Sequence, residues 1–113
     1  NRMTQKAGCV FCEIVARRSP SNIRYEDDEI IVIDNQLQWV PVMLLVMPKS
    51  HMTQTELWGS GMIAKAGRVA TDMGVQFCSG GYRILSNFGH DGMQSQEHGH
   101  VHVLGGMYLG PYA

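Results

Sequence analysis

The most informative segment of the chain is residues 98–106, which read His-Gly-His-Val-His-Val-Leu-Gly-Gly. Its three histidines recur at every second position. This spacing cannot place them on one face of an α-helix, but it does place them on one face of a β-strand, about 6–7 Å apart. The residues that would point to the opposite face are Gly99, Val101 and Val103. We therefore predict a strand with a row of imidazoles on one side and two valines in a core on the other.

A row of imidazoles is suited to nucleophilic, acid–base or metal-binding chemistry near neutral pH. Two simpler interpretations stay open on the spacing alone. The histidines could lie on an exposed strand face, or they could form a tract that only binds metal. Motifs elsewhere in the chain favour the catalytic interpretation over these two.

The composition is typical of one small domain, and we predict a single domain over residues 1–113. Hydrophobic residues make up 44% of the chain, which is ample for one core, and chains of this size often form homodimers. The net charge is −1 and there is no run of basic residues, which argues against a nucleic-acid-binding protein.

The sequence also predicts the environment of the protein. No apolar run approaches the length of a membrane span, so we expect no membrane partner. We see no secretory signal, and the three cysteines are odd in number, so a disulfide framework is not expected. We therefore expect a cytoplasmic protein.

Hydrophobic patterning predicts an α+β fold with a mainly antiparallel sheet of about five strands. The expected helices are a short one over residues 9–18 and a long one from Thr53 to Gly74, and the expected strands cover residues 23–26, 30–33, 42–47 and 82–86, followed by the histidine strand. Thr53 and Glu56 are spaced as a capping box. Gly59 and Gly61 predict a break early in the long helix, and Gly74 fits its C-terminal cap.

Several short motifs accompany the histidine segment in a characteristic order. They are Cys9-x-x-Cys12, Tyr25-Glu26-Asp27-Asp28, Met47-Pro48-Lys49-Ser50-His51, Gly81-Tyr82-Arg83, Asn87-x-Gly89 and Gln94-Ser95. Together with the histidine segment they resemble the histidine triad (HIT) family, in the short branch that has an N-terminal CxxC motif. The resemblance covers roughly residues 9–106 and implies the family's α+β fold.

The resemblance implies a nucleotide hydrolase or transferase that acts at the α-phosphate. The middle histidine of the triad is the family's nucleophile, so that role falls to His100, and a neutral imidazole is a competent nucleophile towards phosphorus. We expect a backbone carbonyl within the triad segment to fix its tautomer. His102 would stabilise charge on the phosphoryl oxygens, and Ser95 would donate or relay a proton. His98 completes the predicted catalytic set.

Four residues are predicted to bind the substrate. Asn35 is the candidate for the ribose hydroxyls, with Asp34 as the second choice. Asn87 and Gln94 match family positions near the phosphate, where amide groups donate hydrogen bonds without adding charge. The alternative for each is a turn or a solvated loop.

The resemblance also predicts a structural zinc ion that the proposed chemistry does not require. Cys9 and Cys12 supply half of a tetrahedral site, and His51 and His98 are the candidates that complete it. The alternative for the two cysteines is burial as small hydrophobic residues. Cys78 is expected to pack in the core, without a role in chemistry.

Four positions depart from the family pattern. Gly99 stands where an apolar side chain is usual, which should weaken the packing of the strand. Met43 stands where many members carry a fourth histidine, Met107 where arginine is common, and Asn35 where one branch has aspartate. Within these limits the favoured substrate is a purine nucleoside phosphoramidate or a related adenylated molecule. The alternatives are a dinucleoside polyphosphate hydrolase or phosphorylase, and a nucleotide- or zinc-binding scaffold with little catalysis.

Overall fold

The computed structural model describes residues 4–111 and has the predicted α+β architecture. Five strands and three helices follow one another along the chain. They are α1 (Val10–Val15), β1 (Ile23–Glu26), β2 (Ile30–Asp34), β3 (Val42–Pro48), α2 (Gln54–Gly59), α3 (Met62–Phe77), β4 (Tyr82–Leu85) and β5 (Val101–Gly105). Within the described residues, no helix combines the length and the apolar character needed to cross a membrane.

The strands form one antiparallel sheet in the order β1-β2-β3-β5-β4. The last strand in the sequence therefore lies between β3 and β4. In this register Ile33 pairs with Leu45, and Leu45 pairs with His102. Because residues directly opposite each other in neighbouring antiparallel strands point to the same side, these three residues share one face of the sheet.

Both faces of the sheet are covered. One face packs on α2 and α3, and its core includes Val32, Val46, Val101 and Val103. The opposite face packs on α1, through Phe11, Ile14 and Val15, against β2 and β3. The β-branched run of β2 and the apolar run of β3 fit this arrangement, because their residues are buried whichever face they point to.

The predicted long helix is broken at the position that Gly59 and Gly61 predict. The capping box is present, with the Glu56 N–H donating to Thr53 Oγ1 at 3.1 Å and the Thr53 N–H donating to Glu56 Oε1 at 2.8 Å. The chain leaves α2 after Gly59 and resumes in α3 at Met62.

The predicted C-terminal cap at Gly74 is wrong. Helix α3 continues to Phe77, and Cys78 is its C-cap. Gly74 lies inside the helix against the ring of Tyr82, whose atoms would approach an added Cβ to 2.5 Å. Glycine is therefore needed at position 74 for close packing between α3 and β4, and not for a change in backbone direction.

The histidine segment is extended but only partly in the sheet. Strand β5 begins at Val101, so His98 and His100 precede it, and the predicted strand begins three residues too early. The alternation of side chains nevertheless holds. Val101 and Val103 lie in the core beneath α3, and a Cβ on Gly99 would point to α2, within 3.0 Å of Leu57.

Candidate active site

A cleft of about 290 Å³ lies between α1 and the sheet. Its apolar wall comes from α1 and the sheet and contains Val10, Phe11, Ile14, Ile33 and Leu45. Its polar residues include five that the sequence predicted for the site, Asp34, Asn35, Ser95, His100 and His102. Residues from α1, β2, β3, the loop before the histidine segment and that segment itself thus meet in one cavity that has an apolar side and a polar side, as small-molecule sites usually do.

The ring of His100 is oriented by its own segment. Its Nδ1 lies 2.8 Å from the carbonyl oxygen of His98, so Nδ1 carries the proton and donates it. The lone pair of a neutral imidazole is then on Nε2. His100 is only 3% exposed, and this burial lowers its pKa and keeps the ring neutral. The backbone carbonyl that was predicted to fix the tautomer of His100 is therefore present, and it is that of His98.

His102 lies beside His100, with ring centroids 5.1 Å apart. Burial is the main cause that lowers the pKa of His102 from 6.5 to about 4, and the repulsion that a protonated His100 would exert adds to it. Both rings at the cleft are therefore neutral near neutral pH. A neutral His102 can donate one hydrogen bond to a phosphoryl oxygen without attracting a second anion to the cleft.

The predicted substrate-binding residues divide into two groups. Asn35 and Asp34 line the cleft, but each is already partly engaged. Asn35 Oδ1 accepts from the N–H of Leu37 at 3.1 Å, which is a turn-forming contact. The Asp34 carboxylate accepts two hydrogen bonds from Arg24, at 3.0 and 3.1 Å.

Asn87 and Gln94 do not line the cleft. The Asn87 amide donates to the carbonyl of Gly92 at 2.8 Å, and Gln94 Oε1 accepts from the N–H of Gly89 at 2.8 Å. Both side chains therefore stabilise the loop between β4 and β5. That loop places Ser95 at the rim of the cleft, where the side chain is exposed.

The two cysteines of the CxxC motif meet two histidines beside this cleft. One ligand atom from each of Cys9, Cys12, His51 and His98 lies within 4.8 Å of the others. Both sulfurs lie 3.6 Å from His98 Nδ1, and Cys12 Sγ lies 3.5 Å from His51 Nδ1. Ligands around a tetrahedral zinc ion are separated by about 3.5–3.6 Å for sulfur and nitrogen, so this donor set fits zinc in spacing and in chemistry.

The orientation of His98 also suits metal binding. Its Nε2 donates to the carbonyl of Pro48 at 2.7 Å, which leaves Nδ1 unprotonated and facing the sulfurs. His98 is 1% exposed. It therefore belongs to the Cys–His cluster through its ring and to the cleft only through its carbonyl, which accepts from His100.

The family model of the HIT domain matches residues 16–108. The protein belongs to the HIT family. A HIT-like protein of Chlamydia trachomatis, itself described as uncharacterized, is 38% identical over 93 residues, which cover 79% of this chain and 84% of that protein.

Solved structures agree with the HIT assignment. A HIT family hydrolase from Clostridium thermocellum superposes with a TM-score of 0.86 at 31% identity, over 95% of this chain and 97% of that one. A histidine triad family protein from Mycobacterium smegmatis, described as zinc-bound, has a TM-score of 0.78 at 25% identity, over 94% and 80% of the two chains.

Two residues that contact the histidine triad were not predicted from the sequence. Phe11 lies between the two cysteines and packs edge-on against His98 and His100, with centroid distances of 5.9 and 5.3 Å. Its position on the helix that begins at the CxxC motif is the one signal that could have identified it. Gln54 contacts the backbone of His100, and only the long-range packing of α2 reveals that contact.

Proposed function

We propose that this HIT protein is a nucleotide hydrolase or transferase that acts at the α-phosphate of a purine nucleotide, with a nucleoside phosphoramidate as the favoured substrate. The observation that carries the proposal is the state of His100. It is a buried, neutral imidazole that lines a cleft and whose Nδ1–H is held by a carbonyl. A nucleophilic histidine needs this arrangement, because the lone pair is then fixed on Nε2.

The proposed reaction has two displacements at phosphorus. In the first, the Nε2 lone pair of His100 forms a bond to the α-phosphorus while the bond from phosphorus to the leaving nitrogen breaks. The departing amine takes a proton that Ser95 donates or relays. In the second, water attacks phosphorus and gives up a proton that replaces the one Ser95 supplied, the Nε2–P bond breaks and the nucleotide leaves. The carbonyl of His98 stabilises the positive imidazole of the intermediate, and His102 donates to a phosphoryl oxygen.

The shape of the cleft supports a single nucleotide as the bound unit. Its volume of about 290 Å³ is at the lower end of small-molecule pockets. The apolar wall from α1 suits a planar base, and Asn35 and Asp34 line the same cleft, where they could meet the ribose. Asn87 and Gln94, whose side chains hold the loop, would contribute by positioning its backbone.

We further propose that zinc binds Cys9, Cys12, His51 and His98 in a structural role. Bound there, the ion would neutralise the two thiolates and cross-link α1 to the histidine segment. The nucleophile would not contact it. The expectations that two chains pair and that the protein is cytoplasmic stay predictions, of which sedimentation velocity tests the first.

The test of the proposed function is AMP release from adenosine 5′-phosphoramidate. The parent should release AMP, and His100→Asn should bind AMP but not turn over. His90→Asn is the matched control, because His90 is fully exposed on the loop before Ser95 and should leave turnover unchanged. Turnover by His100→Asn at the parental rate would refute the mechanism, and AMP binding without turnover by the parent would favour a scaffold.

A further inference from the structure

The peptide groups of His100 lie outside the sheet although the residue is buried. The ladder between β5 and β3 ends at the pair Val101–Val46, and the ladder between β5 and β4 ends at His102–Leu85. His100 precedes both ends and is only 3% exposed. Its backbone N–H and carbonyl therefore need partners that the sheet does not supply.

Two side chains supply those partners. The N–H of His100 donates to Gln54 Oε1 at 2.9 Å, and the Ser86 hydroxyl donates to the carbonyl oxygen of His100 at 2.7 Å. Gln54 is 2% exposed, so its amide has left water to make this contact. Gln54 comes from the first turn of α2 and Ser86 directly follows β4, so two separate parts of the chain hold one residue.

We propose that Gln54 and Ser86 are positioning residues that hold the backbone of His100 for its attack on phosphorus. This inference rests on the proposed function. The ring of His100 is oriented by a hydrogen bond to the carbonyl of His98, within the same short segment. That bond sets the ring relative to the local backbone, so the direction of Nε2 is only as well defined as the backbone itself.

Gln54 also connects the nucleophile to the loop that carries the proposed proton donor. Its Nε2 donates to the carbonyl of Asn87 at 3.1 Å. Asn87 begins the loop that brings Ser95 to the cleft. One buried amide thus links the backbone of the proposed nucleophile to the start of the loop that carries the proposed proton donor, and both groups must act on the same substrate.

The test compares Gln54→Met and Ser86→Ala with the parent in phosphoramidate hydrolysis, at matched zinc content. Each variant should lower kcat by about 10- to 100-fold, because small misplacements of a nucleophile have effects of this size. KM should stay within about threefold, since neither residue lines the cleft. Ser86→Thr retains the hydroxyl and should keep most of the activity. Gln76→Met, which makes the same change at an exposed site on α3, is the matched control.

Long-range proton–nitrogen NMR of the imidazoles provides a second measurement. The parent and Gln54→Met should both show His100 with its proton on Nδ1 alone, because the carbonyl of His98 sets the tautomer within the same short segment. Parental kcat in both variants, with His100→Asn inactive, would overturn the positioning roles and leave the proposed function intact. So would a changed His100 tautomer in Gln54→Met, because the loss of kcat would then come from the protonation of the ring and not from its position. A fully active His100→Asn would overturn the proposed function itself.

Discussion

Replacing Gly99 with alanine should destabilise the protein, although glycine is less stabilising than alanine in most extended segments. A Cβ at position 99 would lie 3.0 Å from Leu57 Cβ and 3.0 Å from the carbonyl oxygen of Thr53. Comfortable carbon contacts begin at about 3.5 Å. Both neighbours belong to the first turn of α2, where the Thr53 carbonyl accepts from the N–H of Leu57, so neither can move without disturbing the helix.

The expected loss follows from two opposing effects. Forcing a methyl group into a packed contact lowers the free energy of unfolding by about 1–3 kcal/mol. The lower conformational entropy of the unfolded chain with alanine raises it by about 0.4–1 kcal/mol. The free energy of unfolding should therefore fall by about 0.5–2 kcal/mol. Because residue 99 separates His98 from His100, kcat should fall as well.

Urea denaturation of the zinc-loaded protein measures this change, and Gly67→Ala is the matched control. Gly67 lies within α3, and a Cβ there would meet nothing within 4 Å. The control should therefore gain about 0.5–1 kcal/mol from helix propensity alone. The reasoning would be refuted if Gly99→Ala were as stable as the parent, or if both variants changed stability in the same direction.

Two further predictions concern the Cys–His cluster and the cleft between α1 and the sheet. Cys12→Ser should reduce bound zinc, measured by elemental analysis, from about one ion per chain, whereas Cys78→Ser should retain it, and equal zinc content in the two would contradict the proposed site. Because burial lowers the pKa of His102 from 6.5 to about 4, only the unfolded chain binds this proton between those pH values. The free energy of unfolding should therefore fall as the pH falls from 6.5 to 4, and less steeply in His102→Asn; equal slopes in the two proteins would contradict the half-buried, neutral state of His102.

Elements that depend on local pattern could be predicted from the sequence. Strands β2 and β3 follow from β-branched and continuous apolar runs, and the capping box at Thr53 is a contact between near neighbours in the chain. The break before α3 follows from Gly59 and Gly61, because glycine weakens a helix wherever it lies.

The errors occur where distant parts of the chain decide the structure. Gly74 resembles a helix cap, but Tyr82 packs against it from another element. The start of β5 depends on where β3 and β4 end, which residues 98–102 alone do not specify. Glycine at position 99 looked like a loss of packing, whereas α2 occupies the space that a side chain would fill.

In the candidate site, too, contacts between near neighbours in the chain could be predicted and contacts between distant elements could not. The state of His100 was expected, because its partner, the His98 carbonyl, is two residues away. Gln54 and Phe11 could not be assigned a role, because each reaches the triad only after a helix packs against the sheet. The roles predicted for Asn35, Asp34, Asn87 and Gln94 stay predictions, and the structure adds that the last two hold the loop.

The position of β5 between β3 and β4 has a consequence for how the protein is made. During synthesis β3 and β4 leave the ribosome without a partner between them, and the sheet cannot close until Val101–Gly105 follows. The same residues carry His102 and complete the segment that begins at His98. The nascent chain therefore gains its central strand and its candidate active site in one late step, and until then it exposes two strand edges to other chains.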